Sequence, residues 1–227
     1  MKRNARPATD WEAERNGSRI SGMQTIVVAS DNRGKLAEIR QLLAETAIEV
    51  RPQSDFGISG TAETAATFRE NALLKARHAS AAAGLPAIAD DSGLEVSALQ
   101  GRPGVRSARF AGETATDDEN IDRLLAELVR VPDEKRSASF RCVAVYVDGP
   151  DDESPLFAEG VWAGRILTTR RGGGGFGYDP VFLDLESGKA AAELSAEEKN
   201  RISHRGQAFR ALASLIRDRL GPRQASP

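Results

Sequence analysis

Pro86-Ala-Ile-Ala-Asp-Asp-Ser-Gly-Leu-Glu-Val96 decides how the rest of the chain is read. Ala87 to Ala89 form a short apolar run of the kind that makes a buried strand. The run meets two adjacent carboxylates, Asp90 and Asp91, followed by Ser92 and Gly93. Burying a charge is strongly unfavourable unless it is paired or bound to a metal. Neighbouring side chains of a strand point to opposite faces. At most one of the two aspartates is therefore expected to face a cleft, with the other solvated or hydrogen-bonded behind it. Gly93 permits a sharp exit. Asp, Ser and Gly are also the usual turn residues, so a simple turn leading to a second strand, Leu94 to Leu99, is the alternative.

Upstream, residues 64–83 read as a long helix with Thr64 as N-cap, ended by Gly84 and Pro86. Phe68, Ala72, Ala76 and Ala79 make a narrow stripe of mostly small residues, which predicts close packing. Asn71 and Lys75 share a face and read as solvated helix surface, and His78 as a surface or semi-buried histidine. Thr25 to Ser30 read as a first buried strand and Ile48 to Gln53 as a second, with Glu63 closing the polar loop after it. Between the two strands lie a loop, Asp31-Asn-Arg-Gly-Lys35, and a helix with apolar Leu36, Ile39 and Leu43. Strand, Gly/Lys loop and helix N-terminus together suit an anion, because free N–H groups and the helix dipole favour negative charge. This is not the Walker loop, whose glycine spacing is absent. A plain turn with a surface lysine is the alternative.

Downstream, Gly101-Arg-Pro-Gly104 is a turn. Thr116-Asp-Asp-Glu119 is a capping box that opens an amphipathic helix of Ile121, Leu124, Leu125 and Leu128. Asp117 and Asp118 read as structural residues of its first turn. Ser137 to Asp148 is the longest strand signal, with Cys142 as a core residue. It returns through a hairpin into residues 156–169, where Gly160 and Gly164 predict bulges. Gly172-Gly-Gly-Gly-Phe-Gly-Tyr-Asp-Pro180 matches a dinucleotide fingerprint in letters only, since no helix can start at Tyr-Asp-Pro. Such a run is either a hinge or a loop whose N–H groups approach a ligand, with Phe176 and Tyr178 free to stack on a base. Ser195-Ala-Glu-Glu198 caps a short helix bearing Lys199 and Asn200. Ser203-His-Arg205 starts the last helix, with Ala208, Leu212, Leu215 and Ile216 as its apolar face and Gly221-Pro222 as its stop. Cations at a helix N-terminus oppose the dipole, which marks His204 and Arg205 as a polar site for an anionic or carbonyl-bearing ligand.

The totals bound the answer. With 227 residues, 40% hydrophobic and 28% charged, the chain is an ordinary soluble globular protein, long enough for two lobes. A net charge of −2 offers no footprint for duplex nucleic acid. One cysteine excludes an internal disulfide and a Cys-rich metal site, and fits a reducing cytosol. No apolar run approaches the roughly 20 residues that span a bilayer. Residues 1–22 read as a disordered tail, 23–221 as one two-lobed domain and 222–227 as a C-terminal tail. Met23 directly precedes the first strand, so the start could be Met1 or Met23.

Four polar groups thus stand at element ends: Ser30 to Lys35, Asp90 to Ser92, Phe176 to Asp179, and Lys199 with His204 and Arg205. Lysine and arginine suit phosphates, a carboxylate suits Mg²⁺ and an aromatic suits a base. The set is that of a Mg²⁺-nucleotide site. Six blocks, in order, carry a resemblance over residues 25–220. They are Ser30-Asp-Asn-Arg-Gly-Lys35, Glu63-Thr64 with Thr67-Phe68 and Glu70-Asn71-Ala72, Ala89-Asp-Asp-Ser-Gly-Leu94, Ser107-Ala-Arg-Phe-Ala-Gly112, Gly174-Gly-Phe-Gly-Tyr-Asp-Pro180, and Glu193-Leu-Ser195 through Ser203-His-Arg205. The chain resembles the inosine triphosphate pyrophosphatase-like family. Ala65 and Asp31 depart from its pattern, where glycine is common.

The resemblance implies an α/β fold with an elongated mixed β-sheet, flanking helices and two lobes around a central nucleotide-binding cleft. It implies a cytoplasmic homodimer that engages neither nucleic acid nor membrane. The implied reaction is Mg²⁺-dependent hydrolysis of ITP, dITP and XTP to the monophosphate and pyrophosphate, which clears deaminated purines. Carried over by residue, Ser30, Asp31, Asn32, Arg33, Gly34 and Lys35 bind the triphosphate. Asp91 is the general base or water-activating metal ligand, Ser92 supports it, and Glu63 is a second metal ligand. Phe176, Gly177, Tyr178, Asp179 and Lys199 line the nucleoside pocket, and His204 and Arg205 donate to the 6-oxo group.

Overall fold

In a computed structural model of the chain, residues 24–44 and 48–220 are described. The expected tails and the Gly221-Pro222 stop lie outside the described residues. The β-branched start forms β1 (Gln24–Val28), followed by α1 (Arg33–Leu43), β2 (Ile48–Pro52), α2 (Phe68–Ala83), β3 (Ala87–Val96) and α3 (Asp117–Glu127). Then come β4 (Ser137–Val147), β5 (Leu156–Ile166), β6 (Phe182–Asp184), α4 (Ala196–Ile202) and α5 (His204–Leu220). Among the described residues the strands make one six-stranded sheet in the order β2-β1-β3-β4-β5-β6. β2, β1 and β3 are parallel, and β3 to β6 are antiparallel, so the sheet is mixed, as expected.

Side-chain alternation divides the core. α1 and α5 set Ile39, Leu43, Phe209 and Leu212 on Ile26, Ile88 and Tyr146. On the other face, Ala72, Ala76 and Ala79 of α2 pack on Val27, Ala87, Ala89 and Val145. At the far end of the long strands, Leu94, Phe140 and Trp162 pack with Ile121 and Leu124 of α3. Each fully buried Leu, Ile or Phe contributes about 1.5–3 kcal/mol. Two lobes thus share β3, β4 and β5. In open α/β sheets the ligand crevice lies at the carboxyl ends of strands, where the helices part to opposite faces. Here α1 and α2 part beside β1 and β3. Among the described residues β1 pairs with β3 only at Val27↔Ala87 and Val28↔Ile88, and beyond Ile88 that edge of β3 carries no further strand, only a single bridge from Glu95 to Pro103.

Several expectations are corrected. Asp90 to Gly93 form no turn, because β3 runs unbroken and pairs with β4 throughout. Gly93 is required for space: a Cβ there would lie 2.3 Å from the Gly104 carbonyl oxygen. Gly160 and Gly164 mark no bulges, since their register with Cys142 and Ala138 is continuous. A Cβ on Gly160 would lie 2.0 Å from the His204 carbonyl oxygen, so this glycine lets the start of α5 sit on β5. α2 starts at Phe68, capped by Thr67 and not Thr64, with Thr67 Oγ1 accepting from Glu70 N at 3.2 Å. α1 starts at Arg33, capped by Asn32, so Lys35 belongs to its first turn and the loop is shorter than expected. In α5, Leu215 is 38% exposed and Phe209 fills the core instead. The capping boxes at Thr116 and Ser195 form as read. Among the described residues no helix is long and apolar enough to cross a membrane.

Candidate active site

β3 hands its two aspartates to different partners. Asp91 points toward α2, where its Oδ2 accepts from Asn71 Nδ2 at 3.1 Å and its Oδ1 lies 3.1 Å from Lys75 Nζ. Lys75 Nζ also lies 2.6 Å from Glu63 Oε1. Arg109 holds Glu63 from the far side, with Nη1 at 3.2 Å from Oε2 and Nη2 donating to its backbone carbonyl at 2.9 Å. The reading of Asn71 and Lys75 as solvated surface is therefore wrong. The alanine stripe of α2 brings the helix close to the sheet, and Asn71 is fully buried. Burial pushes the Asp91 carboxyl up; Lys75 resists this, and the Glu63 charge adds to it. Burial opposes the charge on Glu63 too, but Lys75, Lys35 and Arg109 hold it below the usual carboxylate range.

Asp90 points the other way. Its Oδ2 lies 3.1 Å from Lys35 Nζ and 3.5 Å from Arg205 Nε. Burial opposes its charge, yet Lys35, Arg205 and Lys75 hold it well below the usual range. Its Oδ1 is buried with no hydrogen-bond partner among the described residues. Cys142, a core residue as expected, sets its Sγ 3.8 Å from Asp90 Oδ2, and burial and that carboxylate push the thiol up. Ser92, expected to support Asp91, does not. Strand alternation sends it to the face of Asp90, where its Oγ accepts from Arg205 Nη2 at 2.9 Å.

Glu38, which the sequence reading missed, joins two elements. Its carboxylate pairs with Arg205 and, at 3.0 Å, with Lys199. Burial opposes its charge, but Arg205 and Lys199 hold its carboxyl down. Lys199 Nζ also lies 2.5 Å from Asp179 Oδ2, which accepts from Phe176 N at 2.9 Å. Burial raises the Asp179 carboxyl despite Lys199. The His204 ring stacks on Phe140, with centroids 4.8 Å apart. Burial, then Arg205 and Lys199, hold His204 well below its ordinary value, so it is neutral, and among the described residues its buried Nδ1 has no partner. The Phe176 ring lies 4.7 Å from Lys199 Nζ and packs against Gly34, where a Cβ would come within 2.6 Å of it. Tyr178 is no stacking face, because its ring is buried and its hydroxyl donates to the Ser107 carbonyl at 2.8 Å. Gly177 N donates to Asp117 Oδ2 at 2.7 Å, so Asp117 ties down the glycine loop.

These groups surround two adjoining hollows of about 250 and 130 Å³, which share Asn32, Lys35, Glu63 and Ala108. Asp90 lines the larger and Asp91 the smaller. Both aspartates thus reach the cleft, against the expectation of one, because the bare edge of β3 opens both sheet faces to it. Ser30, Asp31 and Asn32 line the larger hollow; Arg33 is exposed and lines neither. Among the described residues no group of three or more His, Cys, Asp or Glu could hold a metal. Glu63 and Asp91 nonetheless fit Mg²⁺, which takes one or two protein carboxylates and completes its shell with water and phosphate. Glu38, Arg109 and Asp117 had no local signal, since each acts through a partner remote in sequence.

A mixed α/β sheet whose cleft combines cationic walls, two carboxylates on a shared lysine and an aromatic lid defines a protein built for a ring-bearing polyanion. The chain belongs to the Ham1 family, whose pattern matches residues 26–215. It is 57% identical over 192 residues to the dITP/XTP pyrophosphatase of Methylococcus capsulatus, covering 85% of this chain and 96% of the relative. It is 51% identical over 196 residues to the dITP/XTP pyrophosphatase of Pectobacterium atrosepticum, covering 86% and 100%. A solved HAM1 protein from Coxiella burnetii has the same fold, with a TM-score of 0.79 and 48% identity over 86% of this chain and 98% of that one.

Proposed function

We propose that this chain hydrolyses ITP, dITP and XTP to the monophosphate and pyrophosphate, clearing deaminated purines from the nucleotide pool. One observation carries the reading. Asp90 holds the phosphate-seeking Lys35 and the base-seeking Arg205 on one oxygen, while its neighbour Asp91 meets Glu63 on Lys75. The names of the Methylococcus and Pectobacterium relatives support the substrate class.

Attack by water on the α-phosphorus needs charge neutralisation and in-line placement more than covalent help. Asp91 is the general base, and its raised carboxyl suits that task better than a fully acidic one. Lys35 and Lys75 offset the phosphate charge. Mg²⁺ is the cofactor of this reading; Glu63 and Asp91 would hold it, and when bound it polarises the phosphoryl oxygens. His204 and Arg205 donate to the 6-oxo group, and the Phe176 ring offers the base a stacking face. Adenine presents an amino group there, leaving buried donors unpaired, a mismatch that discriminates on the order of 10⁴-fold. A homodimer in the cytoplasm is part of the same reading, and the single buried thiol supports a reducing compartment.

The test is pyrophosphate release from dITP, with and without Mg²⁺, by the wild type and by Asp91→Asn. The variant should fold and lose turnover. Wild-type kcat in the variant would remove Asp91 from the mechanism, and binding of dITP without any product would make the chain a nucleotide-binding protein.

A further inference from the structure

Three carboxylates line the larger hollow: Asp31, Glu63 and Asp90. Glu63 is paired with Lys75 and Arg109, and Asp90 with Lys35 and Arg205. Asp31 differs. Its Oδ2 accepts from the neutral amide of Gln53 at 2.6 Å, and among the described residues no cation pairs with it. Gln53 is only 3% exposed, at the end of β2, so the donor that holds this carboxylate is itself fixed. The chain has therefore placed a carboxylate with no paired cation among the described residues beside Ser30 and Asn32, on the wall that would receive phosphate. Such a charge repels a free phosphate and attracts one that carries a divalent cation.

Resting on the proposed function, in which the pyrophosphate end of the substrate occupies this hollow, we propose that Asp31 selects the metal-chelated form of those terminal phosphates. Its carboxylate accepts hydrogen bonds from water on the divalent ion that the β- and γ-oxygens bring with them. That ion is part of the substrate and separate from the one given to Glu63 and Asp91. Asp31 stands at the exposed mouth of the hollow, so water screens it and the effect is a matter of selectivity, not of turnover as such.

Isothermal titration of pyrophosphate into the intact chain tests this, using wild type and Asp31→Asn, each with Mg²⁺ and with EDTA. Asparagine keeps the acceptor for Gln53 and removes only the charge. The variant should bind metal-free pyrophosphate about five- to tenfold more tightly than the wild type, the effect of one screened like charge at close range. Its gain in affinity on adding Mg²⁺ should shrink by the same factor. Equal Mg²⁺ gains in the two proteins would overturn the inference. So would uniform weakening in both buffers, which would make Asp31 a loop-holding residue only. A wild type that binds pyrophosphate in neither buffer would overturn the triphosphate reading itself, and this inference with it.

Discussion

His204 sits in a place where a proton is unwelcome. It is one of two histidines in the chain; His78 is exposed and its Nε2 lies 3.1 Å from the Ser59 carbonyl oxygen. His204 is stacked on Phe140 and hemmed in by Arg205 and Lys199, and its folded value lies well below its ordinary one. Below about pH 6.5 the unfolded chain takes up a proton that the folded chain refuses, so stability falls as pH drops, by up to about 1.4 kcal/mol per unit. Urea denaturation should find the wild type about 1 kcal/mol less stable at pH 5.5 than at pH 7, and His204→Gln should remove that slope. Asp90 and Glu38 have the same sign in a lower pH window. Their folded values are depressed, so their contribution is intact above the ordinary carboxylate range and is lost only as pH falls through the lower folded values. Those two therefore change little between pH 5.5 and 7, whereas the raised Asp91 and Asp179 carboxyls carry the opposite sign and work against the histidine as pH falls.

Elements meet at this site through positions where a single atom has no room. A Cβ on Gly160 would lie 2.0 Å from the His204 carbonyl oxygen and 2.9 Å from Ala208 N, both backbone atoms of α5. Neither can rotate away, so Gly160→Ala must push the helix off the strand. The expected cost is about 1–3 kcal/mol in urea denaturation, with a raised KM for dITP because His204 and Arg205 move with α5. The glycine loop has a gentler constraint. Asp117, the first residue of α3, holds Gly177 N and so keeps Phe176 over Lys199. Asp117→Ala should raise the KM for dITP several-fold and leave kcat much less affected, as steady-state kinetics would record. An unchanged KM would make this contact incidental.

For the molecule as a whole, the cleft lies where the two lobes share β3, β4 and β5. Its walls come from α1 and α5 on one side and α2 on the other. Binding to the folded state alone stabilises by mass action, about 2.7 kcal/mol at a hundredfold excess over Kd. A non-hydrolysable dITP analogue with Mg²⁺ should therefore raise Tm clearly, and EDTA should cancel most of that rise. A shift indifferent to EDTA would separate binding from Mg²⁺.

Local chemistry was enough for much of this. The βα turn at Ser30 to Lys35, the capping boxes at Thr116 and Ser195, the alanine stripe of α2 and the apolar face of α3 were all legible in the sequence, because each rests on neighbours within a few residues. The order of polar blocks was enough to point to the family. Only the tertiary structure decided that Asp90 and Asp91 both reach the cleft, since that depends on where β1 stops. It alone decided that Asn71 and Lys75 serve Asp91, that Ser92 serves Arg205, and that Glu38 ties Lys35's helix to a residue 167 positions away. Periodicity reports which face a side chain is on, but what waits opposite that face is set by the packing of the whole chain.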